Sequence, residues 1–256
     1  MSAAWPVALA ACALAATVGL SACQSTQGRS AELEKESKTL LLDAEGLSID
    51  KESKDVKVLA SEIVSSPEGA AVVVEVHNDS SLNLTDVPVL IDVRDKKGRS
   101  VYRNDVPGLE QALTAIPYVP ANGDAEWVND QILASGEPAS VKVKIGASTS
   151  SFAGELPDIE VTEPTLKGDP VSGIEATGDV VNNTGEEQNR LLLYIVARRG
   201  DEVVAAGRGA IEHLKDETKP VRYTVFFIGD PKGAELSLSE FPPLPDTAIG
   251  GGLENG

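Results

Sequence analysis

The sequence predicts an all-β protein: two tandem β-sandwiches behind an amino-terminal signal segment and a polar tether. Two observations carry the prediction. First, β-branched residues recur with period two, as in Val72, Val74 and Val76, in Val87, Val89, Ile91 and Val93, and in Val141, Val143 and Ile145. Such alternation marks half-buried strands. Second, the theme returns further on. Glu75–Ser80 lays onto Asp179–Thr184, and Val87 to Val93 onto Asn189 to Ile195, at a spacing of 102 to 104 residues. Repeat periods of ~20–50 residues indicate solenoids, whereas this one fits a duplicated domain.

Taken in order, residues 1–22 read as a lipoprotein signal peptide. The apolar run from Val7 to Leu20 is too short to span a bilayer, which takes ~20 residues, and matches a signal core. Leu20-Ser21-Ala22-Cys23 closes it as a lipobox. Cleavage before Cys23 would leave that cysteine carrying a diacylglyceryl group. Met1 to Pro6 hold no Lys or Arg, a departure from the usual signal. The competing reading is an ordinary secretory signal cut after Ala22, with Cys23 a free thiol. One acyl chain binds a bilayer marginally and two hold stably. The expected partner is therefore a bacterial membrane, reached through the lipid anchor at Cys23, and the expected location is extracytoplasmic.

Residues 23–50 form a polar tether, with Glu32, Glu34, Lys35, Glu36 and Lys38 in one run and Leu40-Leu41-Leu42 its apolar cluster. Residues 51–148 make the first sandwich. Residues 149–165 read as a linker, with Pro157, Pro164 and the acids Glu155, Asp158, Glu160 and Glu163. Residues 166–246 make the second sandwich. Within it Leu191, Leu193 and Ile195 interleave with Leu192, Tyr194 and Val196, so this strand is apolar on both faces and should be central. Residues 247–256, with Gly250-Gly251-Gly252, read as a disordered tail.

Six or seven short strands in 80–100 residues match the immunoglobulin-like sandwich. The run Gly178-Asp-Val180-Val-Asn182-Asn-Thr184, followed by Tyr194-Ile-Val-Ala-Arg-Arg-Gly200-Asp-Glu-Val-Val204, resembles the FxLYD family of envelope domains over residues 170–230. A weaker copy covers 70–102. The second repeat departs from the family by placing Arg198-Arg199 where an Asp is usual; the first keeps Asp95 and lacks the first Gly. The resemblance implies a β-sandwich and no catalytic residue.

Composition excludes several functions. Cys12 leaves with the signal and Cys23 is taken by lipid, so the sandwiches have no disulfide and depend on burial. His77 and His213 stand far apart, a poor inventory for metals. No cofactor and no metal are expected; a calcium site at Asp158, Glu160 and Glu163 has no dense ligand motif behind it. The net charge of −18 is spread evenly with no basic patch, which disfavours nucleic acid and electrostatic adhesion to anionic lipid. No Gly-x-Ser-x-Gly elbow is present, and His77 and His213 read as surface histidines, so no enzyme is expected. Asn78, Asn83 and Asn182 open glycosylation sequons that read more simply as turn residues.

The clearest functional signal is a difference between the repeats. The first has Arg103 to Asp124 where the second has only Gly207 to Lys219. Loops on sandwiches often bind, and aromatic residues are frequent hot spots, so Tyr102, Tyr118 and Trp127 are the candidate partner-binding residues. The competing reading makes Tyr118 and Trp127 caps on the first core. The expected function is a lipid-anchored cell-envelope protein presenting two sandwiches to a protein or glycan partner; the alternative is a passive spacer.

Overall fold

The computed structural model describes residues 46–169, 173–215 and 219–244. The signal segment, the lipobox with Cys23, most of the tether and the tail from 247 lie outside the described residues. The protein is all-β, as expected. Among the described residues there is no α-helix, and a 3₁₀ turn covers Gln111–Leu113.

The amino-terminal half holds β1 (Val56–Ser66), β2 (Gly69–Asn78), β3 (Asn83–Arg94), β4 (Ser100–Arg103), β5 (Ala115–Val119), β6 (Asp124–Ile132), β7 (Ser140–Ile145) and β8 (Ser150–Phe152). The carboxy-terminal half holds β9 (Ile159–Val161), β10 (Thr165–Asp169), β11 (Gly173–Asn182), β12 (Gln188–Arg199), β13 (Glu202–Leu214), β14 (Val221–Phe226), β15 (Ile228–Gly229) and β16 (Glu235–Phe241). All pairings among these strands are antiparallel. One sheet runs β1-β2-β6; a second surrounds β3 with β4, β5, β7 and β8. In the other half, β10-β11-β14 with β9 makes one sheet and β15-β13-β12-β16 the other. The segment 149–165 carries two short strands, β8 on the first half's sheet and β9 on the second's. His213, expected in a loop, lies within β13, which runs on to Leu214.

The halves correspond residue by residue. Asn78 is fully buried at the end of β2. Its Nδ2 donates to the carbonyls of Leu82 (2.8 Å), Pro120 (3.0 Å) and Val119 (3.4 Å), and its Oδ1 accepts from the Ser80 backbone (3.0 Å) and hydroxyl (2.8 Å). Asn182 repeats this at the end of β11: Nδ2 donates to the carbonyls of Glu186 (2.7 Å), Leu214 (3.2 Å) and Lys215 (3.2 Å), and Oδ1 accepts from the Thr184 backbone (3.0 Å) and hydroxyl (2.7 Å). Each amide ties a strand of one sheet to a strand end of the other. With its nitrogen so engaged, neither asparagine is open to glycosylation.

Each half also has a residue with positive φ inside its central strand, Asp86 (49°) and Arg190 (67°), and a bulge after Val93 and Ala197 respectively. Asn78/Asn182, Asp86/Arg190 and Val93/Ala197 are all 104 positions apart. The central strands therefore align at 104, and the spacing of 102 expected for Val87 to Val93 slips them by two. Beyond the turn the ladders show a further offset: Tyr102 opposite Val93 occupies the place of Ala205 opposite Ala197.

Gly178 in β11 pairs with Tyr223 in β14, and a Cβ on it would lie 2.5 Å from the Tyr223 hydroxyl and 2.6 Å from its ring. The same ladder position in the first half is Val74 opposite Trp127. There the indole turns inward, so no glycine is needed.

Removing the Asn182 amide strands several buried carbonyls, each costing about 1–3 kcal/mol. Asn182→Ala is expected to lose about 3 kcal/mol in urea unfolding. Asn182→Asp should not restore it, because a carboxylate cannot donate to those carbonyls.

Candidate functional site

The outer face of the β1-β2-β6 sheet is itself covered. In β2 the inward set Val72, Val74 and Val76 is fully buried, and so is the opposite set, Ala71 (0% exposed) and Val73 (3%). In β12, Leu191, Leu193 and Ile195 belong to the second half's core, while Leu192, Tyr194 and Val196 join the first half's. Strand alternation puts these two sets on opposite faces. The β15-β13-β12-β16 sheet therefore packs on β1-β2-β6, and four sheets stack in one block. The two-sided apolarity of β12 marks a strand that is central in its sheet and buried on both faces.

The junction is ringed by charge, with acids from the first half and bases from the second. Glu110 accepts from Arg208 Nη2 at 3.0 Å and pairs with Arg190. The Arg208 backbone N–H donates to Asp130 Oδ2 at 3.0 Å, and its Nε lies 3.6 Å from Asp130 Oδ1. Arg198 pairs with Glu126, whose other oxygen accepts from the Ser237 hydroxyl at 3.0 Å. Glu62 accepts from the Val203 N–H at 3.1 Å. Arg198 is thus a partner for the first half.

The segment that distinguishes the repeats builds this junction. Residues 104–114 stand between β4 and β5 where β13 passes straight through Gly207-Arg208-Gly209. Asn104, fully buried, fills the break in the ladder. Its Oδ1 accepts from the Ile91 N–H at 2.8 Å, and its Nδ2 donates to the carbonyls of Val89 and Leu113, each at 2.8 Å. The excursion so held carries Glu110 onto Arg208. Residues 115–119 of the expected long loop are strand β5, so the irregular part is shorter than the sequence suggested.

The three aromatic candidates do not share a surface. Trp127 is 0% exposed and donates its indole N–H to the Ala112 carbonyl at 2.9 Å. It props the excursion from inside and has no surface to offer a partner. Tyr102 and Tyr118 are half-buried against the first core. They stand opposite Val93 and Thr85, roughly 26 Å apart along β3 at ~3.3 Å per residue. Burial pushes both phenols above their ordinary range. His77 accompanies Asp124 (2.6 Å) and Asp79 (3.4 Å), and His213 accompanies Asn189 (3.1 Å) and Glu187 (3.4 Å). Among the described residues neither histidine is hydrogen-bonded to a Ser or Thr hydroxyl, and no cluster of metal-ligating residues occurs.

The structure instead forms a groove of about 250 Å³ at the junction. Its apolar wall is Ala115, Pro117, Leu192, Phe241 and Pro242, and Asp86, Gln111 and Arg190 give it a polar rim. The Gln111 amide donates to Asp86 at 2.8 Å. Asp86 and Arg190, the positive-φ residues of the two central strands, both line it. Nothing in the sequence announces the groove, because its walls come from four separate segments. No protein-family model matches this chain, and no curated protein matches it.

Two predictions concern the junction. Arg208, 9% exposed in its side chain, faces two carboxylates. Arg208→Ala should cost about 3 kcal/mol in urea unfolding, as expected for a buried pair broken on one side, and a double-mutant cycle with Glu110→Ala should show coupling. The second prediction rests on Asp130, whose carboxyl burial raises against the opposing pull of Arg208. A raised carboxyl contributes stability below the ordinary carboxylate range and loses it as pH rises through the folded value. Asp130→Asn should therefore gain on the wild type as pH rises from ~4 to ~7; a constant or narrowing gap would contradict this.

Proposed function

We propose that the protein is a lipid-anchored component of the bacterial cell envelope that presents the junction groove to a protein partner. The groove carries this reading: an open, mainly apolar cleft between two packed halves, rimmed by a few convergent polar groups, is the usual form of a binding site. Its volume of about 250 Å³ is small for a free ligand, for which ~300–1,000 Å³ is typical. It suits one anchoring apolar side chain of a larger partner, the form that interface hot spots take. Phe241 and the prolines offer apolar contact and little of the hydroxyl recognition a glycan needs. The anchor part of the reading rests on Leu20-Ser21-Ala22-Cys23, and a passive spacer remains the alternative, favoured by the rigidity that continuous packing confers.

Two measurements test the parts separately. Metabolic labelling with a tagged fatty acid should mark the wild type, and Cys23→Ser should lose both the label and the membrane fraction. Crosslinked pull-down from intact envelopes should retain a defined partner. Pro117→Trp, which fills the groove from a half-buried position, should lower that yield at least about tenfold, the effect of ~1.4 kcal/mol, with unfolding stability unchanged. Equal capture by Pro117→Trp overturns the groove, and no partner in either sample supports the spacer.

A further inference from the structure

The even spread of charge along the sequence conceals a local gathering of cations. The outward positions of β3 are Leu90, Asp92 and Arg94. Asp92 pairs across the ladders with Lys142 on β7 and Arg103 on β4, and Leu90 pairs with Lys144. The four bases Arg94, Arg103, Lys142 and Lys144 line a groove of about 490 Å³ on this face. Arg94 is matched by Asp92 and Arg103 by Asp105, each at 2.6 Å. Lys144 meets Glu52 at 3.4 Å with both side chains exposed, and Lys142 makes no ion pair among the described residues. In the adjoining turn Lys96 is matched by Glu137 at 3.0 Å and Arg99 by Asp95 at 2.7 Å, and Lys97 is exposed. Strand pairing gathers here bases that are far apart in sequence.

The chain also arrives at this face. Leu47, Ser48 and Ile49 line the same groove, and Gly46 lies so close to the Asp105 carbonyl that a Cβ would fall 1.8 Å from it. The connection from Cys23 therefore reaches the folded block at its cationic side. The opposite side of the stack belongs to the second half.

We propose that this face of the five-stranded sheet lies against anionic phospholipid headgroups of the anchoring membrane, with lipid phosphates over Lys142 and Lys144. The inference rests on the lipid-anchor reading. Each Lys or Arg close to an anionic leaflet contributes ~1 kcal/mol, an attraction that fades within a Debye length of ~8 Å at physiological salt. Against a net charge of −18 such a patch binds weakly on its own at physiological salt, and measurably only at low salt, where screening is reduced. Attachment through Cys23 changes this, since a linked site meets its target at an effective concentration on the order of millimolar. Docked this way, the block holds its second half outward and its junction groove to the side, clear of the lipid.

The test uses the processed chain, residues 23–256, with Cys23→Ser, so that lipid attachment plays no part; the core described above lies wholly within it. Its sedimentation is measured with vesicles of phosphatidylcholine alone and with added phosphatidylglycerol, at low and high salt. Binding is expected to the anionic vesicles at low salt and to be lost at high salt. Lys142→Gln/Lys144→Gln should lower the partition coefficient roughly 30-fold, while Lys167→Gln/Lys232→Gln in the second half leaves it unchanged. No binding at low salt, equal binding to neutral vesicles, or equal loss in both double variants overturns the proposal. An unlabelled Cys23 in cells would overturn the anchor while leaving the vesicle result intact, so the two failures are distinguishable.

Discussion

The rest of the fold depends on one constraint: the two middle sheets of the stack must be apolar on both faces. A sandwich standing alone needs only one apolar face per sheet. Here β2 buries Ala71 and Val73 as well as Val72 and Val74, and β12 buries Leu192, Tyr194 and Val196 as well as Leu191, Leu193 and Ile195. Without a disulfide to limit the unfolded chain, stability comes from area removed from water, and stacking covers two faces that would otherwise meet solvent. Tyr194 and Phe241, with ring centroids 4.9 Å apart, belong to this shared layer.

The charges around that layer do a different task. Buried ion pairs seldom add net stability, because desolvation offsets attraction. Burial raises the Asp130 carboxyl in line with that cost, and among the described residues Asp130 Oδ1, Arg208 Nη1 and the Tyr194 hydroxyl make no hydrogen bond. What the charges supply is register. Apolar sheet faces slide over one another at little cost, whereas Glu110, Glu126 and Asp130 meet Arg190, Arg198 and Arg208 in one placement. The excursion that carries Glu110 is thereby a docking element between halves, and Asn104 and Trp127 are the supports that make it one.

Much of this was legible in the sequence, and the remainder was not for physical reasons. Period-two alternation exposed the strands, and the Asn-x-Ser/Thr repeat exposed the likeness of Asn78 and Asn182, because each is written in neighbouring residues. The two-sided apolarity of β12 was visible, yet it gave only centrality within a sheet, since a stacked partner face lies far off in sequence. The aromatic candidates were ambiguous for a related reason: Trp127 and Tyr118 fit a binding loop or a core equally well until burial is known, and burial places Trp127 in the core. The cationic face escaped because Arg94, Arg103 and Lys142 come together through ladder pairing, which composition cannot report. The groove escaped likewise, being assembled from four segments.

A heterologous contact between repeats raises the question of why stacking stops at two. A head-to-tail interface that does not close can propagate without limit. Aligned at 104, the answer lies in substitutions at the two free faces. Where the first half offers Ala71 and Val73 to its neighbour, the second presents Glu175 and Thr177 at the same places; where it offers Val128, the second has Thr224. Where the second half inserts Tyr194, Val196 and Arg198, the first shows Leu90, Asp92 and Arg94. The second half's outer sheet has polar residues at all three of these places, and the first half's has one, Asp92 in place of Val196. Asp92 is held below the ordinary carboxylate range: burial opposes its charge, but hydrogen bonds from Ser100 and Arg94 and the nearby guanidiniums outweigh it. The Glu110 excursion exists in one repeat alone, and Arg208 in the other. The two halves are therefore unequal at the positions where equality would have permitted a third layer pair, and the face of the first half that carries Arg94, Arg103, Lys142 and Lys144 is left exposed.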